Sequence, residues 1–506
     1  MEIEKPMPEI LLFHPPNILN PKALNQSIMA PLMVGYGLLH IASYMIEKGY
    51  GVECWNIPLL YKMGFNNEQL MGIFKNYDPL LIGIELNWLH LSKGALDLAN
   101  FFKKIFPNSP IVVGGVHATI FAEEIIQYSN SVDIVVKGEA EKIMNDIAIK
   151  IEKNQDYLKV AGTISKKNNK ILKNTGKNII DDIDTIPRYS IDFLRPKILN
   201  TYDLAMINTC RGPCSFNCVH CLGAKSSYTI SPRSNTTFHS IKWIIEQIQI
   251  LLDHVKKISI QDYSYSNPKF IIELAQALQH EKLKNSIEYF NYALVPSPEI
   301  KREVLYELAR AGVDNIDLGI ESGSNHILQT LKRPYNTQQA SIVVKNAVEN
   351  GIVPKTFWLI SGLEGQEDLK ENFKFLKETI EMGAIPKWVT PLCILPNTQL
   401  FQNSKEYGIN LKLRSFKDFL KYSTERFNRN AYYPQTITHE TELMNKFDIL
   451  KAVNDLKSFI LKKEEVILEQ VEKNKEKFFS TQPKLRENQL IQRIKTGLKF
   501  IRGSYF

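Results

Sequence analysis

Four of the chain's six cysteines lie within twelve positions, from Cys210 to Cys221. Three of them, Cys214, Cys218 and Cys221, have the spacing CxxxCxxC, and polar residues, Gly and Pro stand around them. A short loop of this kind can place three thiolates around one face of an iron–sulfur cube. Because such clusters are normally held by four thiolates, a three-cysteine site leaves one iron open to bind a small molecule. We therefore predict an iron–sulfur loop that the rest of the chain supports.

Two other interpretations of the cysteine loop are weaker. A structural zinc site would need a second ligand pair well downstream, and the sequence has none. A chance grouping of buried thiols conflicts with the polar residues of the loop. Cys210 is open to three interpretations, a spare thiol, a rival ligand or a small packed residue, and we favour the last. Cys393 either reaches the active site or is a small core residue.

Length and charge restrict the class of protein. A chain of 506 residues is long enough for two or three domains. The net charge of +8 is modest, and no long Lys/Arg run indicates nucleic-acid binding. No segment reaches the roughly 18 consecutive apolar residues of a membrane span, and the first residues do not read as a signal peptide. Together with the sparse, clustered cysteines, these features predict a cytoplasmic protein.

Residues 1–150 alternate strand-like and helix-like segments. The candidate strands cover 10–13, 52–57, 80–85, 111–113 and 133–136, and candidate helices cover 38–48, 94–106 and 139–152. Apolar strands that alternate with helices indicate a doubly wound α/β fold, with a parallel sheet covered on both faces. Such sheets bind ligands at the carboxyl ends of their strands. Two candidate segments lie there, with Gly114, Gly115 and His117 in one and Gly138 and Glu139 in the other.

The remaining chain divides into three parts. Residues 151–200 are predicted to form a hairpin, turning at Asn168-Asn169, and a linker. Residues 201–396 repeat a strand–helix pattern six times, which predicts a partial barrel, shorter than the eight repeats of a full one. Ser297-Pro298 and Thr337 are predicted to cap two of its helices. Residues 397–506 are predicted to be mainly helical and to end in a basic amphipathic helix over 490–502.

The predicted barrel places its polar residues at one end. Its candidate strands cover 204–208, 257–261, 287–294, 316–320, 357–360 and 388–395. The cysteine loop follows the first strand, at the carboxyl end where barrel active sites lie. Asp262 follows the second strand, Glu321 and Ser322 the fourth, and Gly362 the fifth. A buried carboxylate there suits a cationic or hydroxylated ligand, although Asp262 is equally well interpreted as a solvated acid in a turn.

The cysteine loop resembles the signature of the radical S-adenosylmethionine (SAM) enzymes, in which three cysteines ligate a [4Fe-4S] cluster and SAM chelates the fourth iron. The resemblance implies that Cys214, Cys218 and Cys221 are the ligands, with His220 in place of an aromatic residue. The segment 319–324 is similar to a SAM-contacting segment of this family. The segment 361–365 is similar to its glycine-rich adenine-side motif, but has Glu364 in place of Pro. The candidate SAM contacts are therefore Glu321, Ser322 and Gly362, which the resemblance implies, and Asp262, which is proposed from its position after the second strand.

The first domain resembles the cobalamin-binding domain that precedes many radical SAM domains. The resemblance rests on Pro15-Pro16 and on the segments 114–119 and 138–141. It implies cobalamin contacts by Gly114, Gly115, His117, Gly138 and Glu139. The Asp-x-His-x-x-Gly motif that supplies an axial histidine in cobalamin mutases is absent. Around His90, Trp88 stands at the position of the Asp and Lys93 at the position of the Gly. We therefore do not expect a protein histidine on cobalt, and a domain that has lost cobalamin is an open alternative.

The resemblance implies a cobalamin-dependent C-methyltransferase that uses a 5′-deoxyadenosyl radical to attack an unactivated carbon. The alternative is a radical cyclase, rearrangement or carbon–carbon coupling enzyme of the same family, with or without cobalamin. A non-catalytic sensor is a third interpretation, against which the three-cysteine loop argues, since a sensor gains nothing from an open iron. The implied partners are a small-molecule, lipid or peptide substrate and a reducing protein such as flavodoxin or ferredoxin.

Overall fold

The computed structural model describes residues 7–21, 34–168, 170–197, 204–262, 267–424 and 437–473. The chain divides into two compact units. The first unit contains residues 1–202, 229–232 and 413–428, and the second contains the others. The domain boundaries at 150, 200 and 396 stay predictions. The basic helix predicted over 490–502 lies outside the described residues.

The first unit is built on an eight-stranded sheet with the order β7-β6-β5-β4-β3-β1-β2-β8. Its strands are β1 Ile10–His14, β2 Val52–Asn56, β3 Leu81–Glu85, β4 Ile111–Gly114, β5 Ile134–Val136, β6 Thr163–Lys167, β7 Lys170–Asn174 and β8 Leu194–Arg195. Its helices are α1 Tyr36–Glu47, α2 Ile57–Lys62, α3 Asn67–Phe74, α4 Ser92–Ile105, α5 Val116–Ile120, α6 Ala122–Tyr128 and α7 Glu141–Glu152. The predicted doubly wound fold is confirmed.

The strands β2-β1-β3-β4-β5 are all parallel. From β1, the chain adds β2 on one side and β3, β4 and β5 on the other, so the strand order reverses between β1 and β3. In open α/β sheets this switch point is where ligands bind, outside the carboxyl ends of the strands. Buried aromatic rings pack strand β1, at this switch point, against two helices. The Phe13 ring centroid lies 5.5 Å from that of Phe74 of α3 and 4.1 Å from that of Phe102 of α4. Burying each ring contributes about 1.5–3 kcal/mol.

The predicted hairpin forms β6 and β7, and it is part of the first sheet. β6 pairs antiparallel with β5 and with β7, so the hairpin extends the parallel strands by two antiparallel ones at the edge. The physical reason is burial, since Thr163, Ile164 and Ser165 lose their solvent contact beside β5.

The second unit contains a six-stranded parallel sheet with the order β16-β15-β14-β13-β12-β9. The strands after β8 are β9 Leu204–Asn208, β10 Cys210–Arg211, β11 Thr237–Phe238, β12 Lys257–Gln261, β13 Tyr289–Leu294, β14 Asn315–Glu321, β15 Val353–Ile360 and β16 Ile385–Pro391. The helices are α8 Ile241–Leu252, α9 Pro268–His280, α10 Arg302–Arg310, α11 Asn325–Thr330, α12 Thr337–Glu349 and α13 Gln366–Glu381. The six strands follow one another in chain order, which confirms the predicted partial barrel.

The two predicted helix caps in this unit are wrong. Helix α10 begins at Arg302, after Lys301, and therefore starts beyond Ser297-Pro298. Helix α12 is capped by Asn336, whose side-chain oxygen accepts from the Gln339 N–H at 2.9 Å. The Gln339 side chain accepts in return from the Asn336 N–H at 2.9 Å, so that a capping box satisfies two otherwise unpaired donors.

The chain after β16 is mainly helical, as predicted. Its elements are α14 Gln399–Gln402, β17 Ile409–Leu411, α15 Phe416–Thr424, β18 His439–Thr441, α16 Lys446–Lys462 and α17 Glu464–Lys473. Helix α15 belongs to the first unit, where the Phe416 N–H donates to the Glu124 carboxylate at 2.7 Å. Among the described residues, no helix has the length and apolar character needed to cross a membrane.

Candidate active site

The cysteine loop follows β9 and folds back on itself. The Cys214 N–H donates to the Gly223 carbonyl at 2.7 Å, and the Cys221 N–H donates to the Cys218 carbonyl at 3.1 Å. Gly212, with φ of +109°, lets the backbone at Asn235 approach closely, because a Cβ there would lie 2.3 Å from the Asn235 carbonyl oxygen. The three predicted ligands are therefore brought together in one tight loop.

The thiols of this loop differ in environment. Cys218 is buried, and Cys214 and Cys221 are partly exposed. In the described part of the chain, no three His, Cys, Asp or Glu side chains converge on a site for a single metal ion. A cluster of four irons takes one thiolate per iron, so its ligands do not have to meet at one point. The donor set fits a cluster with one open iron.

The other two cysteines of the second unit differ in their surroundings, because Cys210 is buried in a strand and Cys393 is partly exposed, two residues after β16 ends. Cys210 lies in β10, opposite Phe238 of β11. Burial raises the pKa of the Cys393 thiol to about 12, although a hydrogen bond with Thr438 opposes the shift. A thiol with so high a pKa stays protonated near neutral pH, and a protonated thiol is a poor metal ligand.

Arg333 is a site residue that the sequence interpretation missed. Its Nη1 atom lies 3.3 Å from Cys218 Sγ, and its Nη2 atom lies 3.5 Å from Glu321 Oε1. Nε donates to the Tyr335 hydroxyl at 3.0 Å. Only 8% of the Arg333 side chain is exposed, and a cation at such depth is retained only when it is paired. In the sequence Arg333 follows Lys332 and precedes Pro334, which is typical of a solvated turn.

Glu321 ends β14 at a backbone irregularity. Its φ is +62°, rare for a residue with a side chain, and the strand pairing shifts between Gly319 and Glu321. The side chain folds back over Gly319, where a Cβ would lie 2.6 Å from Glu321 Oε1. Burial raises the pKa of Glu321, and the Arg333 charge opposes this shift. Strained positions of this kind cluster at functional sites.

Ser322 and Asp262 are both held by neighbours within the second unit. Ser322 Oγ donates to Asn372 Oδ1 of α13 at 2.8 Å and accepts from the Ser324 N–H at 3.1 Å. Asp262, directly after β12, is 4% exposed and accepts from the Tyr292 hydroxyl at 3.0 Å. Burial and then the Asp262 charge raise the pKa of Tyr292. Asp262 is thus a buried carboxylate and not a solvated turn acid.

The loop after β15 explains why Glu364 replaces the family's proline. The buried Glu364 carboxylate accepts from the Ser361 N–H at 2.8 Å and from the Gly362 N–H at 2.7 Å. It thereby closes the loop with hydrogen bonds instead of a fixed ring. Gly362 has φ of +82°, and a Cβ there would lie 2.9 Å from Ile449 Cδ1. Close packing by α16 is therefore sufficient reason for a glycine.

The predicted cobalamin residues lie at the carboxyl edge of the first sheet. Gly115 has φ of +116°, and a Cβ there would lie 2.5 Å from Asn87 Oδ1. Gly138 has φ of +91°, and its N–H donates to Thr119 Oγ1 at 2.9 Å. A Cβ at Gly114 would meet only Val136, at an ordinary 3.6 Å. Close approach thus requires Gly115, whereas Gly114 has room for a side chain.

Glu139 and His117 are both engaged by other parts of the first unit. Glu139 Oε1 accepts from the Ser231 hydroxyl at 2.9 Å. His117 is 3% exposed and packs its ring on Phe121 and Phe419, at centroid distances of 4.9 and 5.1 Å. Burial lowers the pKa of His117 to about 3. Its Nε2 atom has no hydrogen-bond partner among the described residues.

A second buried histidine lies at the same edge and was also missed. His14 ends β1 and hydrogen-bonds through Nδ1 to Glu85, the last residue of β3. Asn87 Nδ2 donates to the other Glu85 oxygen at 2.8 Å. The His14 Nε2 atom is buried and has no hydrogen-bond partner within the described ranges. Buried polar atoms are normally paired, so the edge fits a bound group that supplies the missing partner.

Two family models match segments that contain the cysteine loop and the five predicted cobalamin residues. The family model described as the B12 binding domain matches residues 31–148, and the Radical SAM superfamily matches residues 212–376. A Pyrococcus horikoshii protein named uncharacterized methyltransferase PH0819 is 27% identical over 423 residues, covering 82% of this chain and 86% of that protein. The anaerobic magnesium-protoporphyrin IX monomethyl ester cyclase of Cereibacter sphaeroides is 22% identical over 371 residues, which cover 71% of this chain and 56% of the cyclase.

Two solved structures share the fold. The radical SAM methyltransferase TsrM of Kitasatospora setae, with cobalamin and a [4Fe-4S] cluster bound, has a TM-score of 0.67 at 16% identity, covering 90% of this chain and 91% of TsrM. The cobalamin-dependent radical SAM enzyme OxsB has a TM-score of 0.60 at 17% identity, covering 97% of this chain and 72% of OxsB.

The two matched domains settle the cofactors and the class. A radical SAM domain uses a [4Fe-4S] cluster and SAM, and a B12-binding domain holds cobalamin. The three-cysteine loop fits the first pair of cofactors. The glycine-lined edge fits the second, because the Nε2 atoms of His14 and His117 have no hydrogen-bond partner among the described residues there. The chain belongs to the radical SAM enzymes that carry a B12-binding domain ahead of the radical SAM domain.

Proposed function

We propose that this enzyme is a cobalamin-dependent radical SAM methyltransferase that methylates an unactivated carbon of its substrate. The observation that carries the proposal is the presence, in one chain, of a cysteine loop with three ligands and a B12-binding domain. The similarity to a protein named a methyltransferase, over 82% of this chain, supports it.

The cofactors bring the chemistry: a reduced [4Fe-4S] cluster supplies the electron that cleaves SAM to a 5′-deoxyadenosyl radical, and cobalamin supplies the methyl group. The residues of the chain hold and orient these groups. In this proposal Cys214, Cys218 and Cys221 each ligate one iron. The Arg333 guanidinium beside Cys218 stabilises the charge of the ligated thiolate, because N–H donors to cluster sulfurs favour the reduced form.

We propose Asp262, Glu321, Ser322 and Gly362 as SAM contacts. The two carboxylates lie at the carboxyl ends of β12 and β14, where they can accept from the amino or hydroxyl groups of SAM. Tyr292 holds Asp262, and Arg333 holds Glu321, so that neither carboxylate has to be ordered when SAM binds. Such preorganisation lowers the entropic cost of binding.

We propose Gly114, Gly115, His117, Gly138 and Glu139 as residues of the cobalamin site. The support is their position at the carboxyl ends of β4 and β5, the edge of the sheet where ligands bind, one and two strands beyond β3. Gly115 and Gly138 both have positive φ angles, a conformation open to glycine, which also lets the backbone approach a ligand closely. His117 contributes a neutral ring, because its low pKa excludes a charge near neutral pH.

A radical cyclase is the second candidate. The observation in its favour is the similarity to the magnesium-protoporphyrin cyclases, at 22% identity over 71% of this chain. The chain spans only 56% of that enzyme. Product mass separates the two candidates, since replacing H by CH₃ adds about 14 daltons per transfer whereas ring closure does not.

The test uses protein reconstituted with iron, sulfide and cobalamin without oxygen. The variants Cys214→Ala, Cys218→Ala and Cys221→Ala are compared with Cys210→Ala and Cys393→Ala, which keep the three proposed ligands. Each of the first three is expected to lose the SAM-sensitive spin-resonance signal and 5′-deoxyadenosine formation, and the two controls to keep both. Full 5′-deoxyadenosine formation by Cys218→Ala would refute the assignment, and transfer of labelled methyl from SAM to product separates methylation from cyclisation.

We also propose a reducing protein such as flavodoxin or ferredoxin as partner, a small-molecule, lipid or peptide substrate, and a cytoplasmic location. Support for the partner is the electron that each SAM cleavage consumes. Support for the location is that all six cysteines are free thiols, which persist in a reducing compartment.

A further inference from the structure

The strongest unassigned feature of the first unit is the buried pair of His14 and Glu85. They stand one residue beyond the paired Phe13 and Ile84, on the adjacent parallel strands β1 and β3. The sheet changes direction between these two strands. The pair therefore lies at the point where doubly wound sheets bind their ligands.

Both side chains are buried, with 3% of His14 and 5% of Glu85 exposed. Glu85 is held from two sides, because Asn87 donates to Oε2 and His14 bonds to Oε1. Space beside it is kept by Gly35, where a Cβ would lie 2.6 Å from Glu85 Oε2. Within the described ranges the Glu85 carboxylate is hydrogen-bonded by a ring nitrogen and an amide. A buried carboxylate held in this way is more elaborate than packing requires, since apolar residues of similar volume avoid its desolvation cost.

The hydrogen bond to Glu85 fixes the role of the imidazole. A carboxylate accepts, so His14 Nδ1 carries the proton and donates. In the neutral ring Nε2 then has a free lone pair, and this atom is buried without a hydrogen-bond partner in the part of the chain that the structure describes. A carboxylate that orients a histidine and raises its basicity is the arrangement found behind metal-ligating histidines.

We propose that His14, oriented by Glu85, gives its Nε2 lone pair to bound cobalamin. The acceptor is an electron-pair acceptor of the cofactor, either cobalt itself or an N–H of a corrin side-chain amide. His14 would thus do the work of the histidine that the absent Asp-x-His-x-x-Gly motif supplies elsewhere, but with its carboxylate on a neighbouring strand, 71 positions away. The inference rests on the proposed function in that it needs cobalamin to be bound.

The test is the affinity of the full chain for cob(II)alamin, measured by spin resonance under anaerobic conditions. The decisive variant is His14→Asn, because the Asn amide can replace Nδ1 as the donor to Glu85 but offers nothing at Nε2. We expect His14→Asn to bind cob(II)alamin at least about 10-fold more weakly than the native chain, because loss of an orienting partner alone typically costs about 10–100-fold, and Glu85→Gln to weaken binding in the same direction. Glu85→Gln also serves where His14→Asn fails to fold, which thermal unfolding without cobalamin reveals.

Glu53→Gln is the matched control. Glu53 is a partly buried carboxylate on β2 of the same sheet, bound to Arg195 Nε at 2.9 Å and to the Tyr77 hydroxyl at 3.1 Å. It is expected to bind cob(II)alamin like the native chain. Native binding by both His14→Asn and Glu85→Gln would overturn the inference and leave the methyltransferase proposal intact. No binding by the native chain would remove cobalamin from the proposed function and this inference with it.

Labelling the histidines with ¹⁵N identifies the acceptor. Nitrogen-14 on the axial position of cob(II)alamin splits its signal into triplets, and nitrogen-15 splits it into doublets. A change from triplets to doublets that is absent in His14→Asn places Nε2 on cobalt. An unchanged spectrum together with weaker binding by His14→Asn places Nε2 on an amide donor of the cofactor. Either result supports the contact.

Discussion

Arg333 Nη1 lies 3.3 Å from Cys218 Sγ, although the two residues are 115 positions apart in the chain. The same guanidinium lies 3.5 Å from Glu321 Oε1 and 3.3 Å from the Gly319 carbonyl oxygen. Burial lowers the pKa of Arg333, but Tyr335, Glu321 and Cys218 outweigh it and raise the pKa overall. One permanently charged group therefore joins a proposed cluster ligand to a proposed SAM contact.

We predict that Arg333→Gln makes the reconstituted cluster harder to reduce. The substitution removes a positive charge and a strong N–H donor beside Cys218, and both favour the reduced cluster. The reduction potential should become more negative, as measured by a spin-resonance redox titration without SAM. Arg333→Lys, which keeps the charge but not the planar donor fork, should lie between Gln and the native residue. Equal potentials in all three proteins would contradict the prediction, provided that each binds about four irons.

We predict a difference between the neighbouring glycines of the first unit. Gly115→Ala should destabilise the protein by about 1–3 kcal/mol, because it combines a positive φ with a contact of 2.5 Å to Asn87 Oδ1. Gly114→Ala is the control and should change the free energy of unfolding by less than about 0.5 kcal/mol, since its Cβ would meet only Val136 at 3.6 Å. Chemical unfolding followed by circular dichroism measures both, and equal effects would show that the loop adjusts freely.

We predict that His117 makes the apo protein less stable in acid. Burial lowers its pKa to about 3, whereas the unfolded chain takes up the proton near pH 6.5. The unfolded state thus binds more protons between these values, and the free energy of unfolding falls as the pH falls. From pH 7.5 to 5.5 the loss due to His117 should be about 1 kcal/mol.

The measurement for His117 compares the native chain with His117→Phe at both pH values. Phe fits the ring cluster formed with Phe121 and Phe419 and cannot take up a proton. The variant should lose about 1 kcal/mol less stability on acidification. His220, whose pKa burial also lowers to about 3, is present in both proteins and cancels in the difference. Parallel losses would show that His117 is not the group responsible.

Local patterns predicted the architecture well. Strands at 204–208 and 257–261 have the bounds that their apolar runs indicated, and the parallel pairing in both sheets agrees with strand–helix alternation. The cap of α12 was misplaced by one residue, because Asn336 and Thr337 are both acceptable caps and only the geometry of Gln339 decides between them. Helix α15 could not be assigned to the first unit from its sequence, since Phe416 contacts a helix almost 300 positions earlier.

The sequence did not reveal two charged residues of the candidate sites, because their partners also lie far away in the chain. Arg333 and Glu85 have their partners 115 and 71 positions away, and neither stands in a motif. A sequence shows that a residue is charged, but its burial depends on the completed fold. Cys218 and Gly115 were found because their chemistry or backbone freedom is needed locally, within a spacing that can be read directly.

The loop after β15 gives the last prediction. Glu364 is 2% exposed, and its two oxygens accept from the N–H groups of Ser361 and Gly362 and from the Ser361 hydroxyl. Glu364→Gln keeps the volume but turns an NH₂ group toward one of these donors, and an opposed pair of buried donors costs about 1–3 kcal/mol. The measurement is thermal unfolding, with Glu367→Gln as the control because that side chain is 78% exposed on the first turn of α13. Equal midpoints for the two variants would mean that the loop can rearrange its donors, and the closure of this loop by Glu364 would then be wrong.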